Sequence, residues 1–102
     1  MPYIITTLWF PPHLSDAAAQ RYLETIQKLP LIPIIKRPIP GAITSDKEGI
    51  TTMVIDEVKR KDLGEAMEYI GKFVVEFRNI EGLRYQVKTV NTLSEAMTLV
   101  GK

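Results

Sequence analysis

His13 is the one histidine of this chain, and its imidazole is the only side chain with an unperturbed pKa near neutrality. General acid or base chemistry at neutral pH would fall to it first. It stands in the run Trp9-Phe10-Pro11-Pro12-His13, close to an indole, and the acidic residues Glu48 and Glu81 each precede a Gly-aliphatic pair further on. A loop histidine beside a tryptophan and carboxylates suits a general base or a single haem or metal ligand. The plain alternative is a surface histidine near a helix start. A site with several histidines is excluded by the count, and the carboxylates show no calcium-loop spacing.

Other chemistry is absent by composition. Zero Cys removes thiolate nucleophiles, disulfides and Cys-based metal sites. Neither G-x-G-x-x-G nor a P-loop occurs, and no Ser-centred nucleophile motif occurs, so no nucleotide or other cofactor is expected. Thr6, Thr7, Thr51 and Thr52 offer hydroxyls, and Arg84, Gln86 and Lys88 offer charge and hydrogen bonds to an anionic or carbonyl-bearing molecule. Threonine is also a good strand residue, and alternating basic residues on an edge strand usually face water. Lys59-Arg60-Lys61 reads as a solvated basic turn.

The elements that must position these residues follow from periodicity. Tyr3 to Phe10 (YIITTLWF) is β-branched and aromatic without charge, and Pro11-Pro12 ends it. Apolar residues on both alternating sets, Tyr3/Ile5/Trp9 and Ile4/Leu8/Phe10, predict a central strand covered on both faces. Ser15 is placed to cap a helix with Ala19, Tyr22, Leu23 and Ile26 on its apolar stripe, ending at Pro30. Leu31 to Ile43 is extended, but Pro33, Pro38 and Pro40 confine it to an edge. The polar turn from Thr44 to Gly49 joins it to a second central strand, Ile50 to Val58.

Leu63, Ala66, Met67, Ile70, Val74 and Phe77 follow helical spacing, with Asp62 as the expected N-cap. Gly64 and Gly71 share one flank of that helix, which predicts close approach of another helix, the last one. Leu83, Tyr85, Val87 and Thr89 alternate with polar residues as a strand with one wetter face. Thr92 and Glu95 form a capping box for a short final helix through Val100. Residues 62–72 and 92–102 also share Leu, Glu, Ala, Met, Gly and Lys in step, an echo compatible with duplication of a strand-helix unit or with convergence.

The order βαββαβ plus a helix, over residues 1–102 as one domain, predicts an α+β ferredoxin-like antiparallel sheet of order 4-1-3-2. That order brings Trp9, His13, Glu48 and Glu81 to one end of the sheet. Two helices cover only one face, so the other needs a partner sheet. From YIITTLWF through LRYQVKTV the chain resembles the dimeric α/β-barrel superfamily, small ferredoxin-like proteins whose sheets close face to face. The resemblance is one of topology and size, and the superfamily includes cofactor-independent oxygenases, isomerases, haem-dependent enzymes and proteins without an assigned reaction.

Thirteen Lys plus Arg against twelve Asp plus Glu give +1, too near neutral for a dedicated nucleic-acid or anionic-membrane binder. No signal peptide pattern and no long apolar run occur, which makes the cytoplasm the expected address. Three functions fit these residues: a homodimeric or larger small-molecule-binding or accessory protein taking an apolar or anionic molecule, an oxygenase- or isomerase-type enzyme, or a structural oligomer. Trp9, His13, Glu48, Glu81 and Arg84 are the candidate ligand contacts, with His13 the sole catalytic candidate; Tyr69 and Tyr85 are the tyrosines an enzyme could add.

Overall fold

The computed structural model describes residues 1–101. Strands β1 (Tyr3–Phe10), β2 (Ile35–Asp46), β3 (Gly49–Val58) and β4 (Arg84–Val90) alternate with helices α1 (Ser15–Lys28), α2 (Leu63–Val75) and α3 (Leu93–Leu99). The strands form one antiparallel sheet of order β2-β3-β1-β4, which counted from β4 reads 4-1-3-2. The proline-bearing β2 is an edge strand, and the uncharged β1 lies inside between β3 and β4. No helix among the described residues is long and apolar enough to cross a membrane.

Period-two alternation sorts the strand residues between the faces. Ile4 and Leu8 on β1, and Val54 and Val58 on β3, are buried on the face that carries the helices. Against them α2 lays Ala66, Tyr69, Ile70, Phe73 and Val74, and α1 contributes Tyr22, with Leu29 just past its end. The rings of Phe73 and Tyr22 meet edge to face at 6.0 Å, a geometry favoured by the aromatic quadrupole. Phe77, just beyond the last turn of α2, is 1% exposed and continues this stripe.

The opposite face carries Tyr3, Ile5, Thr7 and Trp9 of β1, opposite Glu57, Ile55, Met53 and Thr51 of β3 and Val90, Lys88, Gln86 and Arg84 of β4. Neither core cluster includes any of these residues. Its central row Ile39, Ile55, Ile5 is apolar across three strands, and Ile39 is 38% exposed.

Asp56 sits on the helix face of β3, opposite Ile4, with no exposed surface. The guanidinium of Arg37 donates to both its oxygens, at 2.6 and 3.0 Å, and lies 5.8 Å from the centre of the Phe73 ring. Regular alternation places it there: Ile35 faces the helices opposite Val58, Lys36 the open face opposite Glu57, and Arg37 the helix side beside Asp56. The ladder slips between Lys36 and Ile39 and again between Ile39 and Ala42, and the first slip turns Ile39, two residues on, to the open face opposite Ile55. Burial disfavours the charged guanidinium, but the hydrogen bond and charge of Asp56 outweigh it and hold the Arg37 pKa above its ordinary value.

Several local expectations need correction. The second strand begins at Ile35, not Leu31, because Leu31 to Ile34 is turn and irregular chain, and it runs on to Asp46. Ser15 does not cap α1: a 3-10 turn at Pro12–Leu14 leads straight into the helix, and the Ser15 hydroxyl donates to the Pro12 carbonyl at 2.7 Å. A second such turn, Arg60–Asp62, likewise leaves Asp62 without a capping bond. The inward stripe of α1 is Ala18, Tyr22 and Thr25, continued by Leu29 after its end; Ala19, Leu23 and Ile26 are exposed. Thr25 is tolerated inside because its hydroxyl donates to the Arg21 carbonyl at 2.6 Å. Gly64 and Gly71 receive no helix, for a Cβ at either would meet nothing within 4 Å.

The capping box of α3 forms as expected. Thr92 Oγ1 accepts from the Glu95 amide at 3.2 Å, and Glu95 accepts from the Thr92 amide at 2.8 Å. Arg60 donates to Asn91 and Glu95, so the basic turn holds the helix start, while Leu93, Leu99 and Val100 remain exposed. The backbone hydrogen bond from Thr92 holds the Glu95 carboxyl below the usual carboxylate range. A lowered folded-state pKa stabilises above the unfolded value and loses that effect as pH falls through the folded one. NMR chemical shifts of residues 93–99 are therefore expected to keep their helical values at neutral pH and to drift toward coil on acidification, ahead of the core. Thr92→Ala should produce the same drift at neutral pH, costing about 1 kcal/mol locally.

Candidate functional site

The end of the sheet where β1 stops and β3 begins carries a cleft of about 330 Å³, lined by Trp9, Phe10, Pro11, Asp46, Glu48, Gly49, Ile50, Thr51, Gly82 and Arg84. Its location follows from the chain breaks. Pro11 ends β1 as it leaves the sheet, and the turn between Asp46 and Gly49 brings β3 in opposite Phe10.

Gly49 is the tight point of that turn. Its φ is +140°, and a Cβ there would stand 2.7 Å from the Phe10 carbonyl oxygen. Only glycine combines that backbone with that approach. Asp46 Oδ1 accepts from the Glu48 amide at 2.8 Å, a side-chain-to-backbone bond that stabilises the turn. Gly49→Ala is expected to cost about 1–3 kcal/mol, read as a lowered urea midpoint. It should also disturb the cleft, since the β1 exit or the turn must move.

On the floor, Trp9, Thr51 and Arg84 form one cross-strand row of the open face, Trp9 between the other two. The Arg84 guanidinium lies 5.9 Å from the indole centre, near the outer limit for a cation over an aromatic ring. The cleft thus has an aromatic floor at Trp9, the Phe10 backbone and Pro11 at the β1 exit, one cation on the β4 side and two carboxylates on the β2–β3 side.

Three of the residues singled out from the sequence meet here: Trp9, Glu48 and Arg84. Two do not line the cleft. His13 is exposed on the 3-10 turn after Pro11, and Glu81 is exposed just before Gly82. Their segments nonetheless adjoin: a Cβ at Gly82 would be 3.2 Å from Leu14 and 4.0 Å from Pro11. Tyr69 is buried between the helices and the sheet, donating to the Leu29 carbonyl at 2.7 Å. Burial raises its phenol pKa, against the opposing charge of Arg37. Tyr85 pairs with Leu8 on the helix side, so neither tyrosine belongs to the cleft. Thr51 lines it, while Thr6 and Thr52 fall on the helix side of the sheet by register. Asp46 escaped attention because it reads as an ordinary turn residue, although Asp two residues before Glu48 is the spacing an Asx turn requires. Among the described residues no group of three or more His, Asp or Glu converges as a metal site.

A shallower, mostly apolar groove runs between the end of α1 and α2, lined by Lys28, Leu29, Gly71 and Val75 among others. Lys28 crosses its edge to Glu76 at 2.6 Å and, by that hydrogen bond, holds the Glu76 carboxyl below the usual range. Arg21 donates to the Glu76 carbonyl, so α1 is fastened to the end of α2 there.

No protein-family model and no curated protein matches the chain. Among solved structures it is similar to a de novo designed protein, Foldit4, at 8% identity and TM-score 0.57 over 90% of this chain and 99% of that one. A weaker likeness, TM-score 0.48 at 12% identity, is to the PelD 158-CT structure from Pseudomonas aeruginosa PAO1, of which it spans 37%. At such identity the first likeness is one of fold alone, that of a small α+β protein with a four-stranded antiparallel sheet and three helices.

Proposed function

We propose that this chain is a self-associating small-molecule-binding protein, its ferredoxin-like sheet covered by the sheet of a second copy. The observation that carries this is the one-sidedness of the packing. The core clusters use one face of the sheet, while Tyr3, Ile5, Trp9, Ile39, Met53 and Ile55 lie on the other. A contiguous apolar face of this kind marks an interaction surface, and a two-fold pair covers it with a single self-complementary contact. The cleft opens at the end of that same face, at Trp9 and Arg84, so pairing would shield it from water on one side.

Catalysis has less support than binding. His13 is exposed and outside the cleft, and general acid-base chemistry needs the donor within hydrogen-bond reach of the substrate.

Sedimentation at micromolar concentration should give at least a dimer. Ile55→Lys places a charge at the centre of the open face, opposite Ile5 and Ile39, and should yield a folded monomer. A monomeric parent rejects self-association, and an Ile55→Lys protein that sediments like a dimeric parent rejects the open face as the contact.

A further inference from the structure

We infer that the cleft beside Trp9 takes a small organic ammonium ion with a flat apolar body. This rests on the small-molecule-binding reading above and is independent of self-association. The volume, about 330 Å³, is at the small end of the range for ligand pockets, which selects a compact molecule. Asp46 and Glu48 against Arg84 leave the ionisable lining one negative charge in excess. The indole adds a second attraction of the same sign, since an aromatic face draws cations, and its present neighbour is already one: Arg84 at 5.9 Å. The indole of Trp9 and the ring of Pro11 supply the apolar contacts.

An anion is the less favourable occupant. Its one cation would be Arg84, and it would have to enter beside two carboxylates. This reverses the preference suggested by Arg84, Gln86 and Lys88 alone, because their strand β4 lines the cleft only through Arg84. A hard divalent ion is also poorly served. It takes six or more oxygens, and one oxygen of Asp46 is already engaged by the Glu48 amide.

Trp9 is the only tryptophan of the chain, so its fluorescence, excited at the red edge of indole absorption, reports the cleft directly. Three probes of one shape are titrated: phenethylamine, 2-phenylethanol and phenylacetate. Phenethylamine is expected to change the Trp9 emission saturably and to bind at least about fivefold more tightly than phenylacetate, one ion pair's difference near a protein surface. Glu48→Gln should weaken it several-fold. Arg84→Gln should tighten it about threefold, because a like charge some two strand spacings from the carboxylates is removed. Glu48 and Arg84 are exposed, so these variants fold.

Phenylacetate binding as tightly as phenethylamine, or a Glu48→Gln protein with unchanged affinity, overturns the inference. Equal binding of 2-phenylethanol rejects the charge preference and leaves the pocket standing. No saturable change with any probe rejects the ligand class and the pocket together. Sedimentation of the same samples reads self-association separately, so a dimer that ignores phenethylamine is distinguished from a monomer that binds it.

Discussion

Asp56→Ala is expected to lower the free energy of unfolding by about 3–5 kcal/mol, the cost of stranding one member of a buried ion pair. The Arg37 side chain is 12% exposed and that of Asp56 is 0%, so a guanidinium robbed of its carboxylate has little water to turn to. Small domains are stable by only about 5–15 kcal/mol, and this variant should lose much of its cooperative transition in urea. The double replacement Arg37→Met with Asp56→Leu should recover most of the loss, because removing both charges removes the desolvation cost as well. Equal midpoints for Asp56→Ala and the parent would show that the pair contributes nothing.

Val74→Asp should be as damaging, at about 4 kcal/mol or more, since it buries an unpaired charge. Val74 is 4% exposed and packs in the cluster of Ile4, Ile70 and Val58. Its neighbour Val75 is 39% exposed, and Val75→Asp provides the control, expected within about 0.5 kcal/mol of the parent. Paired urea melts of the two variants decide whether α2 faces the sheet as described; similar midpoints would mean that it does not.

The contrast between Val74 and Asp56 explains which parts of the molecule were legible beforehand. Val74 belongs to a helical repeat running from Leu63 to Phe77, and the alternation of β1 and the Thr92-Glu95 pair are likewise local patterns. Each depends on residues a few positions apart, so periodicity reveals it. Asp56 reads as an ordinary charge near a strand end, and its partner is nineteen residues away. That pairing exists because β2 joins β3 with Ile35 opposite Val58 and Lys36 opposite Glu57, and spacing along the chain does not reveal a strand register. Pro38 and Pro40 signalled an edge strand but not the register that sets Arg37 beside Asp56.

Helix starts failed for a related reason. Ser15 and Asp62 have suitable side chains, yet a 3-10 turn ahead of each helix carries the chain in smoothly. On α1, the apolar Leu23 and Ile26 lost the inward position to Thr25, whose hydroxyl is satisfied within the helix. At the cleft, Trp9 and Glu48 could be grouped from strand order alone, while Arg84 was legible only as a charge on the neighbouring edge strand. His13 and Glu81 could not be separated from them, since lying at the same end of a sheet does not determine which side chains line a hollow.

The prolines of β2 also bear on how copies of this chain can combine. Pro38 and Pro40 lie in the outermost strand, and neither has an amide proton to offer an incoming strand. Edge-to-edge addition repeated without limit, the route to ribbons and fibrils, is therefore blocked on one margin. On the other margin, β4 carries Arg84 and Lys88, and charges on an edge strand discourage pairing. The proposed pairing would instead use the flat side of the sheet, where a two-fold contact uses up the sticky surface of both partners at once. Assembly by that route terminates at a finite size instead of propagating.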